Sequence, residues 1–238
     1  RLSRILYSTD ASLYQIEPVG VLLPKSREDV IAAIQIANEM SIPVIPRGGG
    51  TGLAGQTVGK ALIIDFSKYL NQVLELNVEE RWVRVQPGVV LDELNAILKS
   101  HGLHFAPDVA TSSRANVGGM IANNSAGAHS VKYGKTIDHV LELEVILSDG
   151  TVCTWGEMGV DEVRARVEQK NLEGQIFREV VRLSHLHRDE IEARYPKILR
   201  RVGGYNLDAF VDGKPFNMSR MVVGSEGTLA AVIEAKVN

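Results

Sequence analysis

Val44-Ile45-Pro46-Arg47-Gly48-Gly49-Gly50-Thr51-Gly52-Leu53-Ala54-Gly55 passes from a short apolar run straight into a stretch with five glycines in eight positions. The run before the glycines has strand composition. Inside the loop, Gly50-Thr51-Gly52-Leu53-Ala54-Gly55 matches the GxGxxG pattern of a Rossmann dinucleotide site letter for letter. In a Rossmann unit, however, such glycines open a helix that meets the pyrophosphate, whereas here Gln56-Thr57-Val58-Gly59-Lys60 lead directly to a second strand-like run, Ala61 to Phe66. The acidic ribose ligand expected about 20 residues further on, at the end of a second strand, has no clear candidate, since Asp65 comes too early. A Walker A loop is excluded, since no Gly-Lys-Ser/Thr follows. What survives is physical: successive glycines let main-chain N–H groups close on an anion with no side chain in the way. From the loop alone, a merely flexible connection stays open as the alternative.

Working outward, Ser26 followed by Glu28, Asp29 and the apolar series Val30, Ile34, Ala37 and Met40 predicts an N-capped amphipathic helix that Pro43 ends. Downstream of the loop, Ala61 to Phe66, Gln72 to Leu76 and Trp82 to Gln86 predict three short strands. Leu91 to His101 predicts a helix with Leu91, Leu94, Ile97 and Leu98 on one face, stopped by Gly102. An irregular stretch, Pro107 to Ala115, precedes the small-residue segment Val117 to Ala128. Leu141 to Trp155 predicts a hairpin turning at Asp149-Gly150. Val160 to Tyr195 is charged and helical in period, and Met221 to Val237 returns to strand-like composition.

The composition is that of a globular chain long enough to bury a core. A net charge of -3 with mixed signs gives no cationic field for a nucleic-acid backbone. Cys153 is the only cysteine, which excludes an internal disulfide and any cysteine-ligated cluster; no metal site is expected, and a reducing compartment fits. No apolar run approaches the roughly 20 residues that span a bilayer. The chain starts at Arg1 and stops on an apolar run, Ala230 to Asn238, from which we expect a piece of a longer polypeptide.

Two further segments follow the glycine loop in order. The first runs from Pro107, Asp108, Thr111, Ser112 and Arg114 through Gly118-Gly119, Ala122-Asn123-Asn124 and Ser125-Ala126-Gly127 to Tyr133-Gly134 and Asp138. The second is Gly224-Ser225-Glu226-Gly227-Thr228-Leu229-Ala230-Ala231-Val232-Ile233. Together the three motifs resemble the FAD-binding (PCMH-type) domain of the vanillyl-alcohol-oxidase superfamily, in the branch of glycolate oxidase, D-lactate dehydrogenase and D-2-hydroxyglutarate dehydrogenase. The resemblance implies an α+β fold of two lobes, about 1–90 and 91–238, with FAD between them and a helical insertion at about 160–220. It implies that Arg47, Gly48, Gly49, Gly50, Thr51, Gly52 and Leu53 wrap the pyrophosphate. Pro107, Asp108, Thr111, Ser112, Arg114, Gly118, Gly119, Ala122, Asn123, Asn124 and Ser125 would line the extended cofactor, and Glu226, Gly227, Val232 and Ile233 would complete the cleft. Thr51 stands where covalently flavinylated members often carry a linking histidine, so the FAD is expected to be noncovalent.

The implied reaction is oxidation of a D-2-hydroxy acid to the 2-oxo acid, with electrons passed to a further acceptor, in a cytoplasmic protein that touches membranes at most peripherally. It needs a base for the hydroxyl proton and a flavin to take the hydride. The resemblance places the base in a downstream substrate domain that this chain lacks. His101, His104, His139, His185 and His187 have a structural or surface role as the default, with His129 the exception worth following. Arg200 and Arg201 could hold a carboxylate, although adjacent arginines on a charged helix are more often solvated. Two other readings remain open: an NADPH-dependent reductase on the same fold, like the enolpyruvylglucosamine reductases, and a non-catalytic dinucleotide-binding or electron-relay module.

Overall fold

The computed structural model describes every residue except Asp212 and Lys214, which fall inside the expected insertion and outside the described residues. A short helix, α1 (Leu2–Leu6), leads to β1 (Gly20–Leu22), α2 (Arg27–Glu39), β2 (Val44–Arg47) and β3 (Leu62–Asp65). Ser26 and Asp29 form a reciprocal capping box at the start of α2. Val30, Ile34 and Ala37 are its buried face, as the periodicity predicts. The three strands make an all-parallel sheet in the order β1-β3-β2. A parallel pair needs a crossover of a dozen or more residues. Between β2 and β3 that crossover is the glycine-rich loop, with no helix in it, and the Rossmann reading fails as expected.

The chain continues through β4 (Val73–Asn77), β5 (Trp82–Val85), α3 (Leu91–Lys99), α4 (Val117–Asn123), α5 (Ser130–Tyr133), β6 (Val140–Ile146) and β7 (Val152–Trp155). The predicted hairpin is β6 and β7, turned by Gly150 at φ 86°. On α3, Leu91, Leu94 and Leu98 are buried, while Ile97 is exposed. There follow β8 (Glu157–Met158), α6 (Val160–Glu168), α7 (Leu172–Leu186), α8 (Arg188–Arg194), β9 (Phe216–Asn217), α9 (Ser219–Val222) and β10 (Ala231–Val237). The small-residue segment after Val117, to which the sequence assigns no element, begins with a helix, α4. One expectation is corrected: the strand-like run from Met221 becomes a strand only at Ala231, after α9 and a turn.

A five-stranded sheet has the order β4-β5-β10-β6-β7, with every pair antiparallel. The expected lobe boundary near residue 90 does not follow the sheets: the chain leaves the first sheet after Asp65, and β4 and β5 already belong to the second. One apolar cluster joins α2 and the first sheet to Ile146, Ala231 and Ile233 of the second. The larger cluster lies between the second sheet and α3, α4, α7 and α9.

The helical segment expected as an insertion is closed at its base by the antiparallel pair β8–β9, Glu157 opposite Asn217. It is not an appendage. Phe177 of α7 is fully buried, with its ring centroid 5.7 Å from that of Phe216 and 6.2 Å from that of Trp155 on β7. Beside it the Glu173 carboxylate accepts from Trp155 Nε1 at 2.9 Å and pairs with Arg166 at 2.5 Å. Phe177→Ala is therefore expected to cost about 3–5 kcal/mol of unfolding free energy. Urea denaturation of the variant checks this, and a loss below about 1 kcal/mol would show that the insertion folds apart from the sheet.

Candidate functional site

The three sequence motifs touch one another. A Cβ on Gly49 would lie 2.3 Å from the Arg114 carbonyl oxygen, and one on Gly48 would lie 2.8 Å from Asn116 Oδ1. The first motif is thus seated on the backbone of the second. Glu226 N donates to the Ala122 carbonyl and Gly224 N to that of Ile121, both at 2.9 Å, while Asn123 Nδ2 donates to Glu226 Oε1 at 2.8 Å. Gly227, at φ 74°, brings its α-carbon against Pro46 at the end of β2.

Between them runs a cleft of about 460 Å³. Arg47, Gly48, Gly49, Gly50, Thr51, Gly52 and Leu53 line it, and so do Thr111, Gly118, Gly119, Ala122, Asn123, Ser125, Glu226, Gly227 and Val232. The remaining expected residues sit elsewhere. Val232 and Ile233 are neighbours on β10 and point to opposite faces, so Ile233 faces the core cluster under α2. Asn124 is buried in the left-handed conformation that ends α4, and its Oδ1 accepts from Ile137 N. Pro107 is buried off the cleft wall. The Ser112 carbonyl accepts from Asp92 N at the start of α3, and Arg114 contributes the carbonyl that seats Gly49.

Asp108 is also off the wall, held by His129, whose Nδ1 lies 2.6 Å from Asp108 Oδ2 and whose main-chain N–H donates to the same carboxylate. Burial raises the Asp108 pKa, but the His129 hydrogen bonds outweigh that pull and hold the carboxyl below its ordinary range. Arg200 and Arg201 are not helical, and both are held by protein partners, Arg200 while exposed and Arg201 partly buried. α8 ends at Arg194; Arg200 donates to Ser130 Oγ at 3.0 Å and to the Gly127 carbonyl, and Arg201 pairs with Asp208 at 2.7 Å over the Tyr195 ring. Asp65, set aside above as a ribose ligand, accepts from Tyr7 OH and from Ser67 N and Oγ.

Several lining residues are not among the expected cofactor contacts: Gln56, Phe66, Pro87, Asn116, Met120, Val222 and Ser225. Three of them hold buried polar atoms without a protein partner, namely Gln56 Oε1, Asn116 Oδ1 and Ser225 Oγ. Buried polar atoms are normally paired, so three orphans around one cleft mark a surface suited to a polar guest. The amides of Gly48 to Leu53 also donate to no acceptor among the described residues. Gly119 offers room: a Cβ there would meet nothing within 4 Å. No histidine, cysteine, lysine or tyrosine lines the cleft among the described residues. Cys153 is buried elsewhere, with its thiol pushed up to about 12 by that burial. Among the described residues no group of three His, Cys, Asp or Glu is placed to hold a metal ion.

A family model described as an FAD binding domain matches residues 18–156, more than half of the chain. The chain belongs to that family. As an FAD-binding domain it is 40% identical over 99% of its length to a D-2-hydroxyglutarate dehydrogenase of Pantoea ananatis. It is 31% identical over 98% of its length to the glycolate oxidase subunit GlcD of Bacillus subtilis. It spans 24% of the first relative and 40% of the second. The fold is also that of an alkyldihydroxyacetonephosphate synthase, which matches the whole FAD-binding domain with a TM-score of 0.67 at 22% identity, over 36% of that chain. These findings bear out the α+β class and the flavin family that the three motifs imply.

The lowered Asp108 carboxyl gives an expectation for the pH dependence of stability. A carboxyl with a lowered folded pKa contributes stability above its unfolded pKa and loses it as pH falls through the folded value. The urea midpoint of Asp108→Asn should therefore lie below wild type at pH 7 and converge with it well below 3.8, the ordinary value. Parallel curves over that window would deny the contact a role.

Proposed function

We propose that this chain holds FAD noncovalently in a flavin-dependent dehydrogenase that oxidises a D-2-hydroxy acid to the 2-oxo acid. The row of unpaired amides from Gly48 to Leu53 on the wall of the cleft carries the reading. Such a row is an anion cradle. It suits the FAD diphosphate, with Gly49, Gly50 and Thr51 presenting N–H groups to it. Asn116 Oδ1, Ser225 Oγ and Gln56 Oε1 would pair with polar edges of the cofactor, and Met120, Val222 and Val232 would pack on its flat rings. We place the cofactor between the two lobes of the notional division at about 1–90 and 91–238. The relatives named as D-2-hydroxyglutarate dehydrogenase and glycolate oxidase support a 2-hydroxy acid over an NADPH substrate.

FAD supplies a hydride acceptor. The chain's own residues bind and orient it and keep water off one face. They offer little to move a proton. Glu226 is the only carboxylate on the lining among the described residues, and it accepts from Asn123. The Arg47 guanidinium is taken up by the carbonyls of Tyr7, Thr9 and Thr57. A base for the hydroxyl proton is therefore assigned to a substrate domain outside this chain, and the electrons to a separate acceptor. No helix among the described residues is long and apolar enough to cross a membrane. A cytoplasmic protein, attached to membranes at most peripherally, accords with a single buried thiol.

Among the described residues the lining has no histidine, cysteine or tyrosine to form a flavin link, so acid precipitation should leave all the flavin in the supernatant. Gly119→Leu fills the open side of the cleft while favouring the helix by about 1 kcal/mol. It should raise the FAD Kd about 100-fold or more, some 2.7 kcal/mol, with melting temperature preserved. Unchanged affinity in a fluorescence titration would move the cofactor out of this cleft. For the full-length protein, anaerobic mixing with D-2-hydroxyglutarate, D-lactate or glycolate should bleach the flavin with one of them; bleaching by NADPH alone would overturn the substrate assignment.

A further inference from the structure

We propose that the segment Tyr7–Tyr14, upstream of the residues matched by the family model, is a positioning strap that holds the glycine-rich loop in its anion-gripping shape and so sets the affinity for FAD. The inference rests on the FAD reading above. The strap meets the loop at its start, middle and end. At the start, Arg47 donates to the Tyr7 carbonyl at 3.3 Å and the Thr9 carbonyl at 2.8 Å, with its guanidinium 5.1 Å from the centre of the Tyr7 ring. The same guanidinium reaches the Thr57 carbonyl at 3.2 Å and so ties the two ends of the loop together. In the middle, Ala11 N donates to the Gly50 carbonyl at 3.0 Å. At the end, Thr57 Oγ1 donates to Asp10 Oδ2 at 2.8 Å, and Tyr14 lies against Gly55, where a Cβ would meet the ring at 2.4 Å.

The strap has its own anchors. Tyr7 OH bonds to the buried Asp65 carboxylate under the loop, Asp10 Oδ1 accepts from Ser12 N at 2.8 Å, and Ile16 N donates to the Ser8 carbonyl at 2.8 Å. The Gly50 contact orients an amide directly. A trans peptide unit is planar, with its C=O and N–H opposed, so a Gly50 carbonyl drawn to Ala11 turns the Thr51 N–H away from the strap. The loop is also among the costliest kinds of segment to order, because glycine loses more freedom on folding than any other residue. A loop already ordered by the strap binds its ligand without that loss.

The test uses the full chain and titrates FAD and, separately, ADP, which keeps the diphosphate but lacks the flavin. Asp10→Ala removes the Thr57 contact, and Tyr14→Ala removes the Gly55 contact. Each should raise both Kd values by about 10-fold while the melting temperature of the unliganded chain stays put. Asp10→Asn keeps an oxygen for Ser12 and an amide for the Thr57 hydroxyl. Arg4→Ala removes the hydrogen bond to the Pro18 carbonyl and the ion pair with Glu17, both outside the loop. Both should stay within about twofold of wild type. Wild-type binding by Asp10→Ala and Tyr14→Ala would overturn the strap, as would equal losses in Asp10→Ala and Asp10→Asn. A fall in unliganded stability large enough to explain the loss would do so too. If the wild-type chain itself bound no FAD, it is the parent reading that would fall.

Discussion

Main chain lies directly on main chain where Gly49 meets the Arg114 carbonyl, and the shape of the cleft follows from that contact. Any side chain at position 49 would push the loop away from the 114–116 segment. Similar bare contacts recur around it, Gly118 on Pro87 and Gly127 on Asp108. The glycines therefore do two different things. Gly48 and Gly49 let the walls close on each other, while Gly119 leaves room between them. Loss of a wall contact would deform the cleft, and loss of the room would fill it.

Much of the fold was legible because local rules and tertiary structure agree. Ser26 with Asp29 marks the start of α2, Asp149-Gly150 marks the hairpin, and the lack of a helix after Gly55 rules out the Rossmann unit. Helix α4 was not legible. Gly118 and Gly119 are poor helix formers, and the Asn116 side chain does not cap the helix but donates to the Gly88 carbonyl instead. Burial of Val117, Met120 and Ile121 holds that helix against its propensity.

At the site, the motifs pointed to the right segments but not to every side chain. Ile233 and Asn124 belong to those segments and still face the interior, a distinction that depends on strand phase and on one left-handed residue. The segment before Pro18 left no mark in the pattern of residue types. Its contacts run through carbonyls and single polar groups, which have no periodicity to read.

The order of the second sheet has a consequence for how the protein is made. β10 is its middle strand, with Ala235 opposite Val85 on one side and Leu143 on the other, yet it comes last in sequence among the five. During vectorial synthesis the β4–β5 and β6–β7 ribbons emerge first and wait with unpaired inner edges while the whole insertion is translated. Such edges are open to wrong partners. Until residues 231–237 join the two halves, the inner edges of β5 and β6 lack their native partner, and the last strand of the sequence completes the sheet.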